Sequence, residues 1–177
     1  MAIDRINAVK RIVRDKKLDA ILFTDLLNIR YLSGYSGSSG MLLITTYSAD
    51  FFTDFRYKEQ SAREVRGAKI TIIENSLLDD LSKNAAYIKA KTIGIEEQNL
   101  TYGQLLSLQK MSPKKKFVAV GGVAENLRQV KSAEEIGKIA KAAGIADQAF
   151  ERIVRFIKPG MTESAIAAQL DHILKIN

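Results

Sequence analysis

Few side chains in this chain could do chemistry. His172 is its one histidine and there is no cysteine, which removes disulfides, thiolate metal sites and cysteine nucleophiles together. A cocatalytic metal site needs several carboxylates and usually a histidine, converging from fixed backbone positions. His172 has no His or Glu four residues away to place two ligands on one helical face, so it reads as a surface or interface histidine. Ser36, Ser38 and Ser39 lie in a Gly-rich run and raise the question of a nucleophile or a phosphate cradle. The run fits neither the nucleophile elbow nor the phosphate loop, which also requires a Lys-Ser/Thr pair at a helix start. It reads as a tight loop whose glycines permit positive φ and close backbone approach. Glu96 and Glu97 are adjacent, so as strand residues they point to opposite faces and make a poor acid/base pair.

The elements that must position these residues follow from periodicity. Asp4 to Lys17 carries Ile6, Val9, Ile12 and Val13 at helical spacing. The apolar run within Asp19–Thr24 predicts a buried strand, Leu26–Leu32 one or two helical turns, and Ser33–Gly40 a loop. Met41–Thr46 and Asp50–Thr53 suit a hairpin, after which Asp54 sits where a cap belongs, before a helix over Tyr57–Val65. Strands are expected at Lys69–Ile73, Thr92–Glu96 and Lys116–Val120, with helices over Leu77–Lys89 and from the capping box at Thr101 through Met111. The result is an α/β domain with a mixed sheet.

From Val123 the pattern changes. Ser132–Glu135 is a second capping box, opening a long helix to Ile157 with Ile136, Ile139, Ala140, Ala143, Phe150, Ile153, Val154 and Ile157 on its apolar face. Thr162 caps another helix through Ile176. A helix cannot bury an apolar stripe alone, so further chain after Asn177 is expected to cover it; folding back on the sheet or a partner interface are the alternatives. Gly137 and Gly144 each cost that helix about 1 kcal/mol relative to Ala, which close packing against a neighbour would explain.

The composition, 46% hydrophobic and 27% charged, is that of an ordinary globular chain. No apolar run is long enough to span a membrane and no signal segment opens the sequence, so the cytoplasm is the expected location. The net charge of +7 is spread among acidic residues without an aromatic-plus-basic stripe, which argues against nucleic acid.

Two segments are more specific. Asn28-Ile29-Arg30-Tyr31-Leu32-Ser33-Gly34-Tyr35-Ser36-Gly37-Ser38-Ser39-Gly40 and Thr53-Asp54-Phe55-Arg56-Tyr57 resemble the amino-terminal domain of the creatinase/prolidase/aminopeptidase P family. Leu127–Ile136 looks like that family's linker into its catalytic domain, and Ile157–Glu163 like the loop between that domain's first two helices. The resemblance implies a mixed-sheet amino-terminal domain over 1–126, a linker at 127–131, and the first two helices of a truncated pita-bread catalytic domain over 132–177.

In that family two divalent metal ions, manganese or cobalt, are held by two Asp, one His and two Glu that lie beyond the matched residues. The resemblance therefore assigns no catalytic or metal residue here and implies that the chain alone is inactive. It implies a homodimer acting on proline-containing peptides, with Arg30, Tyr31, Tyr35, Ser36, Ser38, Asp54, Arg56 and Tyr57 at the substrate entrance. The residue types suit this: paired guanidinium donors hold a carboxylate, and tyrosines offer an apolar face with a polar tip to a proline ring. Asp54 could instead cap the helix and pair with Arg56, while Tyr31 and Tyr57 pack. The short form before the linker looks most like bacterial Xaa-Pro aminopeptidases; prolidase and creatinase-like hydrolases are the alternatives. A non-catalytic peptidase-like binding module is the alternative of another class.

Overall fold

The computed structural model describes residues 2–74 and 76–176. The chain forms two compact units divided between Gln129 and Val130. The first is built on a six-stranded sheet of order β4-β3-β2-β1-β5-β6, with β1 Ala20–Phe23, β2 Met41–Thr45, β3 Ala49–Asp54, β4 Lys69–Ile73, β5 Thr92–Ile95 and β6 Lys116–Ala119. β2 runs antiparallel to both β1 and β3, while β4, β5 and β6 pair parallel to their neighbours. The expected mixed sheet is therefore present, hairpin included.

Alternation along the strands sorts the core into two layers. Ile21, Phe23, Leu42, Ile44 and Phe51 join one cluster with Ile6, Val9 and Val13 of α1 (Ala2–Asp15), Ile29 and Leu32 of α2 (Leu26–Ser33), and Val123 of α7 (Val123–Gln129). Ala20, Leu22, Met41, Leu43 and Phe52 join the other, with Leu81 of α4 (Leu77–Lys83), Tyr87 of α5 (Ala85–Lys89) and Leu108 of α6 (Tyr102–Met111). Central strands covered on both faces read as unbroken apolar runs, as β1 and β2 do.

Two elements differ from expectation. The helix expected over Leu77–Lys89 is broken at Asn84, whose extended backbone ends α4 and whose side chain caps Ala86 and Tyr87 at the start of α5. A short helix, α7, occupies Val123–Gln129, where no helix was expected.

α7 is tied to the sheet by a polar cluster centred on the buried Asn28 and Glu96. Glu96, just past β5, accepts hydrogen bonds from the backbone N–H groups of Thr24 (2.6 Å) and Asp25 (2.8 Å) and from the Asn28 amide (2.7 Å). The same amide donates to Glu125 (2.7 Å), and Arg128 donates to Asn28 Oδ1 (3.1 Å). Glu97, by contrast, is exposed.

The second unit is the helix pair α8 (Ala133–Phe156) and α9 (Glu163–Lys175), begun by the expected capping box at Ser132 and by the Thr162 cap. The two helices bury Ala149, Ile153 and Ile173 together. Ile136, Ile139, Phe150 and Val154 remain more than half exposed, and a methyl group at Gly137 or Gly144 would meet nothing within 4 Å among the described residues. The close packing expected at those glycines is therefore not supplied here.

Burial pushes the Glu96 carboxyl above its ordinary value, against the pull of the donors around it. Such a group binds more protons folded than unfolded. Its contribution is complete at acid pH and is lost as pH rises through the folded-state pKa. Wild-type stability relative to Glu96→Gln should therefore fall as pH rises above 4.5, the ordinary value. Urea titrations of both proteins across pH would show this, and parallel curves would refute it. Glu96→Ala should cost about 3 kcal/mol, because the donors are left unpaired.

Candidate functional site

The loop resembling the peptidase family begins where α2 ends. Gly34 takes the left-handed conformation (φ 87°) that favours glycine, and its N–H returns to the Arg30 carbonyl. The chain then dives inward. Tyr35 is 1% exposed; its ring lies 4.6 Å from Phe51 and 5.9 Å from Tyr57, the latter edge-on. Its hydroxyl donates to the Ser39 carbonyl (2.8 Å), which also accepts from Thr53 (2.7 Å). Desolvation pushes the phenol's pKa up. The loop thus closes over Tyr35, and a Cβ at Gly37 would stand 2.2 Å from its hydroxyl oxygen.

Ser36 and Ser38 are exposed on this loop and each is braced from α3 (Lys58–Glu64) or its approach. Ser36 donates to Glu64 through its N–H (2.7 Å) and its hydroxyl (2.9 Å), and Gln60 donates to the Ser36 hydroxyl (3.0 Å). A serine on a carboxylate could suggest an activated nucleophile. The Ser36 N–H, however, is the main influence holding the Glu64 carboxyl below its usual range, which makes it a weak base. The pair is a brace. The Ser38 and Tyr57 hydroxyls are hydrogen-bonded to each other.

Asp54 closes β3 and caps the 3-10 turn Phe55–Tyr57 through the Arg56 N–H (3.1 Å). Its two oxygens also receive Arg56 Nε (2.8 Å) and Nη2 (2.9 Å), a bidentate pair. That side-chain pairing holds the Asp54 carboxyl far below its usual range. The carboxylate gripped by Arg56 is therefore Asp54's own, and Nη1 makes no hydrogen bond among the described residues. The Arg56 side chain is 61% exposed, beside Phe55 at 76%.

Arg30 and Tyr31 make no hydrogen bond with this cluster. Arg30 is exposed. Tyr31 lies under the Arg5 guanidinium, 3.9 Å from the ring centroid, and donates to the Leu127 carbonyl (2.9 Å), joining α1, α2 and α7. Sequence reasoning missed Gln60 and Glu64, and gave no bracing role to Ser39 or Thr53. Gln60 and Glu64 did carry a signal, the four-residue spacing that puts both on one helical face.

No group of three or more His, Cys, Asp or Glu side chains among the described residues could hold a metal ion, and no helix among them is long and apolar enough to cross a membrane.

Residues 5–130 match the Creatinase/Prolidase N-terminal domain, and residues 137–177 match metallopeptidase family M24. The chain belongs to the creatinase/prolidase family and carries its amino-terminal domain. It is 37% identical to a Bacillus subtilis protein, the uncharacterized peptidase YqhT, over 158 residues, 89% of this chain and 45% of that one. A solved Xaa-Pro dipeptidase from Bacillus anthracis superposes with TM-score 0.91 at 30% identity, over 99% of this chain and 49% of that one. An X-Pro aminopeptidase from Thermotoga maritima superposes with TM-score 0.82 at 29% identity, over 94% and 49%. The chain thus spans about half the length of the relatives it matches.

Gly37→Ala should cost about 2 kcal/mol, the penalty of overpacking a fitted site, because Tyr35 must move and its neighbours are fixed. Chemical denaturation would measure it. A variant as stable as the parent would mean the loop does not close over Tyr35.

Proposed function

We propose that these residues belong to a dimetal Xaa-Pro aminopeptidase, removing the amino-terminal residue that precedes proline. Their part is to form one rim of the substrate entrance and to support a homodimer. The observation that carries this reading is the braced corner: Ser36 and Ser38 stand on a loop fixed from below by Tyr35 and from the side by Glu64 and Tyr57. Beside them Asp54 presents Arg56 to solvent in one orientation. A corner preorganised in this way can orient a peptide without ordering cost at binding, the Arg56 Nη1 meeting a carbonyl or carboxylate. Tyr35 supports it from beneath; Arg30, exposed and without a side-chain partner among the described residues, is a second donor, and Tyr31 holds the helix that leads into the loop.

Residues 132–177 are read as the start of the catalytic domain. The family implies two divalent metals, manganese or cobalt, to activate water. The described residues provide no seat for them, so the chain alone is expected to be inactive. Aminopeptidase is preferred to dipeptidase because of the Tyr-Ser-Gly-Ser-Ser-Gly form of the loop. The dipeptidase reading is favoured by the name of the Bacillus anthracis relative.

The test is hydrolysis by the whole protein, with Mn²⁺ or Co²⁺, of Xaa-Pro-Xaa tripeptides against Xaa-Pro dipeptides. Preferred cleavage of the tripeptides is expected, and preference for dipeptides would make the protein a prolidase. Arg56→Ala should raise KM about tenfold with kcat little changed, the signature of lost uniform binding. Cleavage of neither substrate class would favour the non-catalytic module, and unaltered KM in the variant would remove Arg56 from the entrance.

A further inference from the structure

A second site lies at the other end of β3, where the turn from β2 faces the last turn of α1 and the α5 helix. A groove of about 630 Å³ opens there, lined by Arg14, Lys17, Lys89, Asp19 and Tyr47 among others. This volume is within the range of small-ligand sites. The three cations are exposed and make no ion pair among the described residues. The one acid among the lining residues is Asp19, whose Oδ2 accepts from the N–H groups of Lys91 and Thr92, each at 2.8 Å. The Thr92 and Lys91 bonds hold its carboxyl below the usual range, so it stays ionised and three cations stand against one anion.

Cations at helix C-termini have an ordinary explanation, the negative end of the helix dipole. For α5 that role is filled by Lys115, whose ammonium donates to the carbonyls of Tyr87 (2.6 Å), Ile88 (3.0 Å) and Ala90 (2.5 Å). Lys89 is left over. At the end of α1, Lys17 is the described non-glycine residue with positive φ, at 54°. Its N–H returns to Arg14 and that of Leu18 to Val13, the helix-ending motif in which glycine is the usual occupant. A lysine there accepts backbone strain that glycine avoids, and strain of this kind points to a use for the side chain. Tyr47 adds a flat apolar surface: it is 93% exposed, on a turn fixed by Thr45 through the Tyr47 and Ser48 N–H groups and by Lys10 on the Tyr47 carbonyl.

We propose that this groove binds a small phosphate-bearing anion of nucleotide size, its charges against Arg14, Lys17 and Lys89 and a planar ring, where the ligand has one, against Tyr47. Clustered unpaired cations suit a multiply charged ligand, and an exposed tyrosine suits stacking on a base. The site is separate from the peptide-binding corner and does not depend on it.

Calorimetric titration of the whole protein, without added divalent metal, with ATP and with inorganic tripolyphosphate at low salt tests this. Saturable binding is expected. Lys17→Gly is the informative variant: it removes the charge while relieving the left-handed strain, so Tm should rise while affinity falls about fivefold, the scale of one exposed charge pair. Lys141→Gln, an exposed lysine of α8, should leave affinity unchanged. Tyr47→Ala weakening ATP alone would identify a nucleotide; equal binding of both ligands by parent and Tyr47→Ala would identify the phosphate chain alone. Absence of saturable binding to either ligand, or equal loss in Lys17→Gly and Lys141→Gln, would overturn the proposal.

Discussion

The burial of Tyr35 is the constraint on which the loop and its surroundings depend. A phenol in an apolar core must keep a partner for its hydroxyl, and here the partner is the Ser39 carbonyl, four residues along the same loop. That bond, together with the ring's contacts to Phe51 and Tyr57, closes the loop onto the end of β3. It forces Gly37 to be a residue without a side chain. Once Tyr35 is seated, Ser36 and Ser38 have no choice but to face outward, where Glu64 and Tyr57 receive them. The antiparallel pairing of β2 with β3 makes this possible, because it brings the start of one strand beside the end of the other.

The same hairpin separates two surface features in space. One end of β3 carries Asp54, Arg56 and the Tyr35 loop, a corner braced by hydrogen bonds. The other carries the Tyr47 turn and a groove lined by Arg14, Lys17 and Lys89, which make no ion pair among the described residues. Between them, Phe51 and Phe52 point into opposite layers of the core. The buried Glu96–Asn28 cluster fixes the remaining side of the unit, since it joins the start of α2, the end of β5 and α7. Without it the last helix before the second unit would keep its apolar contacts and the Tyr31 hydrogen bond to the Leu127 carbonyl.

Much of this was readable in the sequence because its cause is local. Apolar runs gave the central strands, and the pairs Thr101/Gln104 and Ser132/Glu135 announced helix starts that both form as capping boxes. The Asp54–Arg56 pairing spans two residues and was among the readings of that motif. What escaped depended on distant partners or on competition between local signals. Glu96 looks like one more strand-end carboxylate until Thr24, Asp25 and Asn28 arrive from 72, 71 and 68 residues away. The break at Asn84 was hidden because apolar periodicity runs through it, whereas the asparagine side chain offers the backbone a fresh helix start. α7 is too short, at seven residues, to declare a period. Of the apolar stripe expected on α8, Ile153 is buried, while Ile136, Ile139, Phe150 and Val154 stay exposed, because burial depends on contacts that spacing does not contain.

The central claim is that the Tyr35 loop and the Asp54 corner border the bound peptide. A crystal structure of the whole protein with a non-hydrolysable Xaa-Pro peptide tests it most directly. The account predicts the peptide in contact with the Arg56 guanidinium and the Ser36–Ser38 loop of the same or the neighbouring subunit, with Tyr35 still buried beneath. A peptide bound with neither the loop nor Arg56 in contact, in either subunit, would contradict it.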